Sequence, residues 1–140
     1  MTVRPTARCF VVCEEVAPDP VALHMLSLLR VVHAIRPARG AGYPVVQPQL
    51  AVFAQLTGGR GEGAVRVEVR NADSDAVVYR TRSAQARFDA NDPLAVRGVR
   101  IRILNLAFPV AGLYWVQLRY DDEVLAQAPV LLRAEHPSST

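Results

Sequence analysis

The sequence predicts an all-β fold, an antiparallel two-sheet β-sandwich of about eight strands. Three observations point there. Apolar residues recur at every second position in segment after segment. Turn residues punctuate the chain at roughly ten-residue spacing. The row Val65, Val67, Val69 alternates cleanly with Arg66, Glu68, Arg70. A length of 140 residues suits one domain. We place it at 1–136, with a flexible C-terminal tail at 137–140.

The first strand runs from Arg8 to Glu14, and Pro18, Asp19 and Pro20 break the chain after it. Val21 to Ile35 fits two elements. Asp19 followed by Pro20 is a helix start, and Leu23, Leu26 and Leu29 sit at helical spacing. Against this, Val31, Val32 and Ile35 are β-branched, which favours a long strand. Residues 36–48, rich in Pro and Gly, read as a loop. Leu50, Val52, Ala54 and Leu56 then alternate with Ala51, Phe53 and Gln55. The Gly-rich segment Gly58 to Gly63 is a turn into the Val65 strand. Asn71 to Asp75 is a turn, and Ala76 to Arg82 a further strand.

Leu94 and Val96 share one phase, and Val99, Ile101 and Ile103 the other. The change at Gly98 suggests a β-bulge. Tyr114, Val116, Leu118 and Tyr120 form the inward row of the next strand, with Trp115, Gln117 and Arg119 opposite. Asp121-Asp122 turns the chain into a last strand, Glu123 to Arg133. Pro129 inside it implies an edge position or a bulge.

Composition excludes several classes. Hydrophobic residues at 51% and charged residues at 21% argue against disorder. No apolar run reaches the ~20 residues of a membrane span, and the N-terminus lacks a signal-peptide core. In a strand, Cys9 and Cys13 lie ~13 Å apart, beyond disulfide reach. Buried free thiols in a reducing, cytoplasmic setting follow. The formal charge is only +3, and all 16 basic residues are arginine, as in a GC-rich genome. So weak an excess, interspersed with acids, argues against a nucleic-acid partner.

Phe108-Pro109-Val110-Ala111-Gly112-Leu113-Tyr114-Trp115, with an acidic turn and a final strand, resembles the closing hairpin of immunoglobulin-like sandwiches. Gly112-Leu113-Tyr114 resembles a tyrosine corner, a phenol tied to nearby backbone. The order of segments is Cys9-Phe-Val-Val-Cys13 with its acidic break, an apolar strand, a Pro-rich loop into Pro48-Gln-Leu50, and this hairpin. It is similar to a family of small uncharacterised bacterial proteins, expected to be immunoglobulin-like or C2-like β-sandwiches. The resemblance brings no activity with it.

Acidic loops offer one site. Alternating connections place Glu14, Glu15 and Asp19 at one end of the sandwich, together with Asp89, Asn91, Asp92, Asp121, Asp122 and Glu123. Oxygen ligands so gathered suit calcium. The simpler reading is that Asp and Asn form turns, and no fixed ligand spacing is present. Asn71 to Asp75 starts like a calcium loop, but Ala76 and Arg82 stand where Gly and Glu are needed. Cys9, Cys13, His24 and His33 lack zinc-site spacing, although a hairpin would bring Cys9 towards His24. The Gly-rich turn lacks the Lys and helix of a phosphate loop. No catalytic motif or cofactor signature is present.

The outward phase is more distinctive. Trp115 stands beside Arg119, and Arg100 and Arg102 lie on the preceding strand, expected as its hairpin neighbour. Phe53 is also outward. Trp and Arg are enriched at contact hot spots. The competing reading covers Trp115 with the loop of residues 36–48. The expected function is a non-enzymatic protein-interaction or self-assembly module, with a protein partner or a second copy. The alternatives are a loop-end calcium or ligand site using Asp19, Asp89, Asp92, Asp121 and Asp122, and a small enzyme whose site has no known motif.

Overall fold

The computed structural model describes residues 2–22, 24–89, 91–92 and 94–134, and the statements below concern those. The tail at 137–140 lies outside them. The described chain is all-β, in two sheets. The strands are β1 (Thr6–Pro18), β2 (Leu26–Val31), β3 (Ala34–Ile35), β4 (Val45–Thr57), β5 (Gly61–Asn71), β6 (Val77–Arg80), β7 (Ala84–Phe88), β8 (Val96–Phe108), β9 (Gly112–Tyr120) and β10 (Glu123–Leu132). The first sheet has the order β2-β1-β4-β8 and is antiparallel throughout. The second has the order β3-β10-β9-β5-β6, with β7 also on β5. It is mixed, because β3 runs parallel to β10.

The core lies between the sheets and follows the two-residue period. Val65, Val67 and Val69 of β5 and Val116 and Leu118 of β9 turn inward, as do Leu50, Val52, Ala54 and Leu56 of β4. Phe108 and Tyr114 meet edge to face, ring centroids 4.9 Å apart. Tyr114 Oη donates to Val110 O at 2.7 Å, tying the start of β9 to the preceding link. Gly63 is required by packing: a methyl there would sit 2.1 Å from Tyr120 Cζ.

Several expectations are corrected. Val21 to Ile35 is neither one long strand nor a helix. Its described residues form a turn, then β2 and the two-residue β3, which belong to different sheets. Ten strands are present among the described residues where about eight were expected. Gly98 marks no bulge, since β8 keeps register with β4 through the pair Gly98 and Gln55. Val96 is simply outward, and Leu94 lies in the link before β8. The backbone irregularity in β8 is at Asn105, φ 54°. Pro129 does sit where β10 lacks an outer partner, because β3 pairs only with Leu131 and Leu132.

The largest correction concerns β8 and β9. They are not a hairpin. The short link of residues 109–111 carries the chain from the first sheet to the second. Arg100 and Arg102 therefore do not neighbour Trp115.

Candidate functional site

The five outward residues singled out from the sequence fall on opposite sides of the sandwich. Phe53 and Arg100 are direct cross-strand partners on the outer face of the first sheet, and Arg102 pairs with Ala51 beside them. Trp115 and Arg119 lie on the outer face of the second sheet.

On the second sheet, β5 and β9 place Arg66 opposite Arg119, Glu68 opposite Gln117, and Arg70 opposite Trp115. β6 adds Arg80 on the other flank of Glu68. Glu68 points away from the core, yet its side chain is 0% exposed. The arginines bury it. Arg66 donates to Oε1 through Nε and Nη2 at 3.1 and 2.8 Å, and Arg80 Nε at 2.9 Å. Arg70 donates to Oε2 through Nε and Nη2 at 3.1 and 2.9 Å. Arg119 Nε lies 3.1 Å from the same oxygen. Burial opposes ionisation of this carboxyl. The hydrogen bonds from Arg70 and Arg66, the charge of Arg119 and the bond from Arg80 outweigh it and hold the group below its ordinary range.

The network continues outward. Asp122 pairs with Arg66 and Asp75 with Arg70. Gln117 accepts from Arg119 and donates to Gln127 of β10. Two arginines facing each other across a sheet repel, and Glu68, two residues along β5 from Arg66 and diagonal to Arg119, removes that conflict. The face is thus a closed polar lattice, with half-buried Trp115 at its margin between Arg70 and Pro129. The loop expected over residues 36–48 ends at 44, where β4 begins, and it sends Tyr43 against the core.

The outer face of the first sheet has different chemistry. Val11, Ala51 and Phe53 occupy its middle, with Val11 directly opposite Phe53. Val31, Val96 and Leu104, each at least half exposed, lie on its flanking strands. Arg100 and Arg102 line the β8 side, and Glu15 the β1 side. These three, with Val16, Gln49, Ala51 and Ile101, border a shallow groove of about 420 Å³. Arg102 Nη2 reaches Gln49 Oε1 at 3.3 Å. Cys13, on the same face, is buried, and burial pushes its thiol above its ordinary value.

The loop-end acids do not converge. The register puts Asp19 at the end where β4 begins, whereas Asp89, Asn91, Asp92, Asp121 and Asp122 lie at the end where β4 finishes. Asp19 Oδ1 accepts from the backbone of Val21 and Ala22. Asp89 Oδ1 accepts from Asn91 N and Asp121 Oδ1 from Ala64 N. The bonds of Asp19 and Asp89 form turns, and that of Asp121 ties the end of β9 to β5. Asp92 Oδ atoms have no such bond among the described contacts, but its N–H closes the same turn onto Asp89 O. Among the described residues no group of three His, Cys, Asp or Glu is placed to hold a metal. Cys9 pairs with Gln55 while His24 lies in the link between β1 and β2, at the opposite end of β1, so they do not meet. Both cysteines are free. No helix among the described residues is long and apolar enough to cross a membrane.

Reading each strand alone missed Glu68. The available signal was an acid flanked at two residues on either side by arginine on one face, Arg66-x-Glu68-x-Arg70.

No curated protein matches the chain. The model of a family of unknown function, DUF6941, matches residues 8–133, in keeping with the likeness read from the order of its segments. The chain therefore belongs to this family of unknown function.

Proposed function

We propose that the chain is a non-enzymatic protein-interaction module whose contact surface is the outer face of the first sheet. One observation carries this. Of the two outer faces, the second sheet's satisfies its own charges around Glu68, whereas the first sheet's presents Val11, Phe53, Val31 and Leu104 beside Arg100 and Arg102. An apolar patch half-buried at Val11 and Phe53, exposed at Val31 and Leu104, and rimmed by guanidinium groups suits protein contact. The tyrosine corner at Tyr114 supports an immunoglobulin-like reading of the sandwich. The free cysteines support a reducing, cytoplasmic setting.

The test places a photo-crosslinking residue at position 53, or at Gln127 on the opposite face, in the producing cells. A defined covalent adduct to an identified protein from position 53, and none from position 127, is expected. No adduct from position 53 contradicts the proposal.

A further inference from the structure

The occupant of this face, we infer, is a second copy of the chain, packed face to face about a two-fold axis parallel to the strands. The inference rests on the contact surface proposed above and names its partner. Around its apolar middle the face grades from acid to base, with Arg8 of β1 set apart beyond Val11, bonded to Thr57. Glu15 stands on β1, Val11, Ala51 and Phe53 fill the middle, and Arg100 and Arg102 stand on β8.

Two face-to-face two-fold arrangements keep the strands of the two copies aligned, the axis lying across them or along them. With the axis across the strands, each strand lies over its own copy. Arg100 and Arg102 then face the partner's Arg100 and the partner's Arg102, which repels. With the axis along the strands, the order reverses and heights are kept. β1 lies over β4 of the partner, and β2 over β8.

Val11 and Phe53 share a rung, so in this second arrangement Val11 packs on the partner's Phe53, twice. Cys13, Ala51 and Arg102 share another rung. Glu15 is one same-face step beyond Cys13, about 7 Å. The partner's Arg102 approaches it from one strand away, within reach of a long side chain. Charge thus selects the arrangement that also stacks the apolar middle.

The area is modest. Four strands at ~4.8 Å spacing and nine residues at ~3.3 Å give about 19 by 30 Å, roughly 1,100 Å² over both copies. That is the lower end of specific interfaces. Association is therefore weak and read at micromolar concentration.

Sedimentation velocity on the purified chain tests it. The parent chain is expected to pass from monomer to dimer as concentration rises to high micromolar. Arg100→Glu with Arg102→Glu in one variant, and Glu15→Arg in another, should each weaken self-association by about tenfold or more. Mixing the two variants should restore a dimer, because both charge contacts are then opposite in sign. Unchanged circular dichroism and urea midpoints at low concentration show that the variants fold. A parent chain that stays monomeric overturns the pairing, even if position 53 captures another protein in cells, in which case the contact role stands. A dimer indifferent to both variants, or swapped variants that do not recombine, also overturns it.

Discussion

Replacing Glu68 by Gln removes one charge and keeps the shape. In the parent, the carboxylate accepts from Arg66, Arg70 and Arg80 and lies against Arg119. The amide oxygen of Gln can serve only one side of this arrangement. Its NH₂ group then faces guanidinium donors on the other. Two or more charge-assisted bonds are lost, and four cations stay gathered, with Asp122 on Arg66 and Asp75 on Arg70. Removing one partner of a buried pair costs about 3–5 kcal/mol. The arginines are 16% to 55% exposed and regain some hydration. We therefore expect the low end, about 3 kcal/mol, and a Tm lower by about 10 °C for a domain of this size. Urea unfolding at low protein concentration measures it, with the single Trp115 on the same face as the fluorescent reporter. Arg80→Gln, on the most exposed cation, should cost about 1 kcal/mol or less. If Glu68→Gln unfolds at the parent's midpoint, the lattice contributes nothing and its assignment as a structural face is wrong.

Acid should act through the same carboxyl. Its folded pKa is depressed, so its stabilisation is complete above the unfolded value near 4.3 and declines as pH falls through the lower folded value. Urea midpoints should drop below about pH 4, and less steeply in Glu68→Gln; parallel slopes would contradict this. The two buried tyrosines should separate. Tyr114→Phe loses the bond to Val110 O and should cost about 1 kcal/mol, while Tyr120→Phe removes a buried hydroxyl with no hydrogen-bond partner among the described residues and should be neutral or stabilising. Gly63→Ala should destabilise by about 1–3 kcal/mol or more, because its methyl meets the Tyr120 ring, and Gly63→Ala combined with Tyr120→Leu should recover part of the loss.

The strands that bury one face were legible. Val65 to Val69 and Tyr114 to Tyr120 alternate without interruption, and each inward residue is buried. Periodicity reports which way a side chain points, but not which sheet its strand joins. The link at residues 109–111 is as short as a hairpin turn, yet it crosses the sandwich. Trp115 and Arg100 were therefore assigned to one surface when they occupy two. β3 is too short for any periodic signal and is fixed by pairing with Leu131 and Leu132. The same blindness hid Glu68. Its own strand marks it as outward, and only arginines from β6 and β9 complete its burial.

A nuclear magnetic resonance dilution series, from millimolar to low micromolar, compares the two outer surfaces in one sample. Amide shifts should move at Val11, Ala51, Phe53, Arg100 and Arg102 and stay fixed around Glu68, Trp115 and Gln117. Movement centred on Trp115, with Phe53 silent, would mean that the contact surface has been placed on the wrong sheet.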